Sequence, residues 1–291
     1  MGRHLGKSSE HPGAAASGAA DAGCSLACDA MTQALVVVGG GNMGAALVAG
    51  LLAAGREVGE LGVVEVVGSR RDELTGRFPG LLVAESTPPC TGAVIAVKPP
   101  DAPGAAGAAV AAGATRVLSI AAGVTLAQLE SACGPGVAVI RAMPNTPALV
   151  GQGAAAISPG RGCDDRDVDW AEQVLSAVGT VVRVPESSLD AVTGLSGSGP
   201  AYLFLVAEAM MDAGVAVGLP RATSEALVRQ LFVGSAALLA GGDPPAVLRA
   251  GVTSPAGTTV AGLHALESHA VRAAFLDAVA AAAARSSQLG E

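Results

Sequence analysis

Leu35-Val36-Val37-Val38-Gly39-Gly40-Gly41-Asn42-Met43-Gly44 reads as a buried strand running directly into a helix. Four apolar residues, three of them β-branched, predict the strand. The glycines at 39, 41 and 44 then keep the G-x-G-x-x-G spacing. Gly39 permits a tight turn, Gly41 lets a pyrophosphate reach the backbone, and Gly44 lets the helix pack close to the strand. Phosphates would rest on the unpaired N–H groups of the helix start, so Asn42 and Met43 join the three glycines as dinucleotide contacts. In a chain with 40 glycines the spacing alone means little. Its place between a strand and a helix is what gives it weight.

Working outward, a helix over residues 42–54 stops at Gly55, and Val63 to Val67 reads as a second strand with Glu65 inside it. An NAD-binding unit places an acidic side chain at the end of this strand for the ribose 2′-hydroxyl. Here the following turn is Gly68-Ser69-Arg70-Arg71, a hydroxyl and two guanidiniums suited to a phosphate. The expectation is NADPH, with NADH as the weaker alternative; the plain reading of the same turn is two solvated surface arginines. Further strands at 81–84, 93–97, 116–120 and 137–141 alternate with helical stretches at 102–112 and 125–132. Repeated βα units predict an α/β fold, a doubly wound (Rossmann) parallel sheet.

Ligands of such sheets bind beyond the carboxyl ends of the strands. Those positions hold Lys98-Pro99-Pro100, after Ala96 and Val97 at the end of the fourth strand, then Ala121-Ala122-Gly123 and Met143-Pro144-Asn145-Thr146-Pro147. Prolines stiffen these loops and small residues leave room for a flat ring. Lys98 is either a solvated lysine or a neighbour of the cofactor ribose or nicotinamide, and Asn145 is a candidate polar contact in the cleft.

Past Val184 and Pro185 the pattern turns to long helices, at 201–217, 221–240, about 256–267 and 271–288. Their faces are apolar nearly all round, which predicts a substantial subunit interface. Ser196-Gly197-Ser198-Gly199-Pro200 introduces the first of them, with proline at the first helical position. Thr253-Ser254-Pro255-Ala256-Gly257-Thr258-Thr259 introduces the third. Ser254 as N-cap and Pro255 in the first turn would aim the N–H groups of Gly257 and Thr258 outward, an anion site of carboxylate size flanked by two hydroxyls. A capped helix without a ligand is the bland alternative.

The 291 residues are expected to divide into a disordered extension over 1–30, a dinucleotide-binding domain over 31–185 and a helical domain over 186–291, with Met31 as the functional start. Net charge is −8 with scattered basic residues, which argues against a nucleic-acid partner. No apolar run reaches the length of a membrane span, so a soluble, cytoplasmic protein without a membrane partner is expected. Five cysteines at unrelated spacings read as reduced thiols, and Cys24 and Cys28 have no further ligands nearby to make a metal site. Lysine occurs only at 7 and 98 and histidine only at 4, 11, 264 and 269, so the usual proton donors of carbonyl reduction are scarce.

Val97-Lys98-Pro99, Ser119 to Gly123, Arg141 to Pro147, Leu195 to Tyr202 and Thr253 to Thr259, in order over residues 33–289, resemble the pyrroline-5-carboxylate reductase family. The resemblance implies reduction of the cyclic imine Δ1-pyrroline-5-carboxylate to L-proline, the last step of proline biosynthesis. It implies a cofactor on Gly39 to Gly44, Ser69 to Arg71 and Lys98. It also implies a substrate carboxylate at Ser254, Gly257 and Thr258, and the Thr259 hydroxyl on the ring nitrogen as the catalytic contact. A homodimer with helical parts interlocked across a two-fold, often assembled into decamers, follows from the same likeness. Ala256 departs from the family's usual second glycine; Leu231-Phe232 and Gly241-Gly242-Asp243 depart in side-chain character.

The chemistry agrees with this reading. A protonated imine already carries the charge that accepts hydride, so no acid is needed at the reacting carbon, and the remaining task is positioning. The small residues Ala121, Ala122, Gly197 and Gly199 suit a narrow cleft. A 3-hydroxyacid dehydrogenase would need a lysine in the helical half, and none follows Lys98. A non-catalytic NADPH sensor would not need the substrate-side residues. A reductase of a six-membered cyclic imine is the alternative that the residues exclude least.

Overall fold

β1 (Leu35–Val38) is buried along its whole length. The protein is seen here as a computed structural model describing residues 32–290; the expected disorder of residues 1–30, and Cys24 and Cys28, lie outside the described residues. Among the described residues, eight strands form one sheet. Their spatial order is β3 (Leu82–Ala84), β2 (Leu61–Val64), β1, β4 (Gly92–Ile95), β5 (Arg116–Ser119), β6 (Ala138–Met143), β7 (Gly153–Pro159) and β8 (Gly179–Arg183). From β3 to β6 all neighbours run parallel.

Alternate residues of β1 feed two cores, as the two-residue period of a strand requires. Leu35 and Val37 pack with Leu47, Val48 and Leu51 of α1 (Asn42–Ala53) and with Val168 and Val174 of α5 (Asp165–Ser176). Val36 and Val38 pack with Ala102, Ala106 and Ala109 of α3 (Ala102–Ala111) and Leu129 of α4 (Leu126–Cys133). Helices therefore cover both faces, which is the doubly wound arrangement. Four fully buried β1 residues at ~1.5–3 kcal/mol each make this strand a main source of the sheet's hydrophobic stabilisation.

Two departures from the sequence reading have physical causes. First, β2 covers 61–64 rather than 63–67. Its partner β1 turns away at Gly39, the last matched pairs are Val38 with Val64 and Val64 with Ala84, and Val66 and Val67 emerge 72% and 54% exposed. Glu65 thus stands at the strand's tip instead of inside it. Second, β7, α5 and β8 were not predicted. β7 runs antiparallel to β6 because residues 144–152 are too few for a helical crossover and reverse at Gly151, whose φ is +71°. α5 starts with a capping box between Asp164 and Asp167, whose N–H groups are accepted reciprocally at 3.0 Å. The N–H of Asp167 holds the Asp164 carboxyl below its usual range.

After β8 the described chain is helical. α6 (Leu189–Val192) leads into a π-helical turn over Thr193–Gly197, then α7 (Gly199–Ala216), α8 (Arg221–Ala240), α9 (Pro245–Gly251), α10 (Thr258–Ser268) and α11 (Val271–Gly290). Pro200 is the second residue of α7 rather than the first, and α9 was not predicted. α11 packs on the π turn and on α6, tied by Ser286 donating to Asp190 at 2.7 Å. Tyr202 donates to the Gly194 carbonyl at 3.1 Å. α7 buries none of its residues, and Leu203, Phe204, Leu205, Leu231, Val233 and Leu276 all lie exposed. An apolar surface of this extent marks an interaction face. No helix among the described residues is long and apolar enough to cross a membrane.

Candidate active site

The glycine loop joins β1 to α1 through contacts that leave no room for side chains. At Gly39, φ is +110°, and a Cβ would lie 2.5 Å from the Ala96 carbonyl oxygen. A Cβ on Gly44 would lie 1.9 Å from the Gly39 oxygen, so this glycine lets α1 press against the turn. Gly41 differs: nothing lies within 4 Å of its absent Cβ. It is the N-cap of α1, and Asn42, Met43 and Gly44 follow as the first turn, whose N–H groups have no partner within the helix. An open approach above unpaired N–H groups at a helix start fits a pyrophosphate.

The loop after β4 meets this cradle. β4 ends at Ile95, two residues earlier than expected, so Ala96 and Val97 belong to the loop, and Ala96 meets Gly39 as described. Lys98 is exposed and forms no ion pair among the described residues. It precedes a single helical turn at Pro99–Asp101. Pro99 and Gly123 line one cavity of about 770 Å³ together with Val124 and Gln128. The last turn of α11 closes one side of it, with Leu289 on Gly123. Ala121 is buried, its N–H donating to the Ser119 hydroxyl at 3.4 Å.

Asn145 bridges separate parts of the protein. Its side-chain amide donates to the Ser196 carbonyl at 3.0 Å, and its oxygen accepts from the Ala154 N–H at 2.8 Å. The end of β6, the start of β7 and the π turn meet through this one side chain. Met143 reaches the same place, since a Cβ on Gly197 would lie 2.6 Å from its Cε. Asn145, Ser196, Gly199 and Tyr202 share the wall of a second cavity of about 450 Å³. Nearby, the buried Arg141 guanidinium meets Glu186 at 3.1 Å, and Glu186 also accepts the Leu126 N–H at 2.7 Å, capping α4.

Ser69 and Arg70 sit in the first turn of α2 (Gly68–Arg77), where no acidic residue stands. Their surroundings differ from the sequence reading. Arg70 Nε donates to the Gly40 carbonyl at 3.0 Å and its Nη1 pairs with Glu73; Arg71 Nη1 donates to the carbonyls of Glu65 and Val66, each at 2.9 Å. Neither guanidinium is simply solvated. Glu65 is the residue that sequence reasoning misplaced, although it follows Gly44 by 21 positions, about the spacing of the ribose-binding acid in dinucleotide folds.

At the loop where an anion site was expected, α10 begins at Thr258 with Gly257 as N-cap, so Ser254 is not the cap. The cause is the backbone ahead of it. Ala256 adopts φ +57°, in the left-handed region, and Gly257 donates to the Ser254 carbonyl at 3.1 Å, closing a turn before the helix. The helix start moves to the two threonines, and Thr258 and Thr259 present its first N–H groups. Ser254 and Thr258 are exposed and Thr259 is half-buried. α10 packs mainly on α11. Among the described residues no group of three or more His, Cys, Asp or Glu side chains is gathered as a metal would need.

Comparison with known proteins adds the family. The domain described as "Pyrroline-5-carboxylate reductase dimerisation" matches residues 186–289. A pyrroline-5-carboxylate reductase of Corynebacterium melassecola is 41% identical over 268 residues, covering 88% of this chain and 98% of that protein. Among solved structures, a pyrroline-5-carboxylate reductase from Coxiella burnetii superposes with a TM-score of 0.83 at 32% identity, over 90% of this chain and all of the other. The Plasmodium falciparum pyrroline carboxylate reductase with NADP bound gives 0.77 at 29% identity, over 89% of this chain and 98% of the other.

Proposed function

The chain belongs to the pyrroline-5-carboxylate reductase family, and from that footing we propose how its residues divide the work. It is an NAD(P)H-dependent oxidoreductase that reduces Δ1-pyrroline-5-carboxylate to L-proline, the last step of proline biosynthesis. When bound, the reduced nicotinamide supplies the hydride that the imine carbon receives. The observation that carries the cofactor half is the clearance at Gly41 above the free first turn of α1.

Gly39, Gly41, Asn42, Met43 and Gly44 would hold the pyrophosphate. Ser69 and Arg70 would meet the adenosine ribose and its 2′-phosphate. Ala96, Val97, Lys98, Pro99, Ala121 and Gly123 would flank the nicotinamide half. Asn145 acts by holding Ser196 in place. On the substrate side the first N–H groups of α10, with Ser254, Gly257 and Thr258, would take the carboxylate, and Thr259 would turn its hydroxyl to the ring nitrogen. That nitrogen is protonated in the reactive imine, so this chain supplies orientation and a hydrogen-bond partner rather than an acid. The scarcity of lysine and histidine is compatible with such chemistry.

The protein is a homo-oligomer. The dimer is the assembly that the exposed apolar surfaces of α7, α8 and α11 support best, with a decamer as the larger form and the cytoplasm as its compartment. The same reading divides the chain into residues 31–185, which hold the dinucleotide, and 186–291, which carry the subunit contacts and the carboxylate loop. Following NADPH absorbance with pyrroline-5-carboxylate, and separately with its six-membered homologue, tests the assignment. Turnover of the five-membered ring is expected; turnover of the six-membered ring alone would move the substrate, and turnover of neither would overturn the reading.

A further inference from the structure

Glu65 occupies a position that the residues of the following turn leave unexplained. β2 stops at Val64 because neither neighbouring strand continues, and the next side chain folds back toward the glycine loop. Its Oε2 accepts from the Gly40 N–H at 3.2 Å and its Oε1 from the Val67 N–H at 2.9 Å. An ionised carboxylate has about four lone-pair sites, so two bonds leave acceptor capacity on both oxygens. The group is half-buried at the tip of the second strand, beside the loop that receives the dinucleotide.

A carboxylate at this place accepts the hydroxyls of an unmodified adenosine ribose and repels a 2′-phosphate. Two arginines stand opposite it, but each already has work. Arg70 is divided between the Gly40 carbonyl and Glu73; Arg71 is divided between the Glu65 and Val66 carbonyls, with Glu85 3.5 Å from its Nη2. Each guanidinium has five N–H donors, so a phosphate entering here finds some of them engaged and others open, with an anion at its side. The turn is therefore built from two opposed parts, one favouring each coenzyme.

We propose that Glu65 is the residue setting coenzyme choice in this chain: it provides the ribose contacts that admit NADH and restrains the affinity gained for NADPH from Ser69 and Arg70. This rests on the dinucleotide lying along Gly39 to Gly44, as argued above. Glu65→Gln keeps the shape and removes the charge, and Glu65→Ser removes both. Binding of NADPH and NADH is read by nicotinamide fluorescence, and kcat/KM is measured for each with pyrroline-5-carboxylate. In both variants NADPH affinity rises, NADH affinity falls, and the NADPH to NADH ratio of kcat/KM increases about tenfold, a reasonable effect for removing one charge at a partly exposed site. The ratio is read within one sample, so partial loss of folded protein cancels. Equal weakening of both coenzymes, or a ratio changed less than about twofold in both variants, would mean that Glu65 only braces Gly40 and would overturn the proposal. If the wild-type chain bound neither coenzyme, the placement on the glycine loop would fail instead.

Discussion

Replacing Gly41 and Gly44 by alanine, one at a time, separates binding from folding in a single loop. Gly41 has φ −65° and ψ −173°, which alanine adopts freely, and its Cβ would enter open space. Alanine is a poorer N-cap than glycine, yet it reduces the freedom of the unfolded chain; these effects oppose one another and leave roughly 0.5 kcal/mol or less. The thermal midpoint of Gly41→Ala should stay within ~2 °C of wild type. The methyl group nevertheless stands where a pyrophosphate must approach. Losing even one charge-assisted hydrogen bond to the helix start, at about 2 kcal/mol, weakens NADPH binding about 30-fold. Gly44→Ala behaves oppositely: a Cβ 1.9 Å from a backbone oxygen forces β1 and α1 apart. Overpacking of that kind costs about 3 kcal/mol, or roughly 6–12 °C in melting temperature for a chain of this size. Scanning calorimetry and a fluorescence titration on the two variants suffice. NADPH affinity within threefold of wild type in Gly41→Ala would refute the placement of the pyrophosphate, and a large loss of stability in that variant would refute the reading of the loop's clearance.

Thr259→Val should lower kcat by about tenfold or more while leaving NADPH affinity near wild type, as the proposed contact of its hydroxyl with the substrate ring requires; an unchanged turnover removes Thr259 from the mechanism. Glu186→Ala leaves the Arg141 guanidinium, whose side chain is 8% exposed, without its partner, and frees the Leu126 N–H. A fully buried pair broken this way costs about 3–5 kcal/mol; with the Glu186 side chain 34% exposed, roughly 2 kcal/mol is expected, and a midpoint shift below ~1 °C would contradict it. Burial pushes the Cys133 thiol up to about 11 and raises Cys90 as well. The folded state therefore keeps its protons more tightly than the unfolded chain, so this stability is complete below pH 9 and is lost as the pH rises from 9 through 11. Urea midpoints under reducing conditions should fall over that window, and Cys133→Ala should flatten the fall; an identical slope in the variant would exclude the thiol as its source.

Much of the fold was readable in order along the chain, because its signals are local. A β-branched run, a glycine where a side chain cannot fit, and an apolar helix period each impose their structure on a few neighbouring residues, and Leu35 to Gly44 combines the first two. The same holds for α8, whose limits at Arg221 and Ala240 are marked by Pro220 ahead and Gly241-Gly242 behind. β7, α5 and β8 were harder. Gly153 to Pro159 is mostly alanine and glycine, with little strand preference, and it becomes a strand because β6 and β8 offer backbone partners.

The sequence by itself determined the chemistry on offer: a glycine loop between a strand and a helix, a helical half too apolar to stand alone, and few lysines or histidines to donate a proton. Tertiary structure decided where that chemistry stands. Glu65 became a strand tip because its neighbours stop pairing, Asn145 became a brace because Ser196 comes to it from a distant segment, and α10 starts at the threonines because Ala256 bends the chain first. Backbone requirements are written into neighbouring residues, whereas the end of a strand and the partner of an amide depend on segments that only folding brings together.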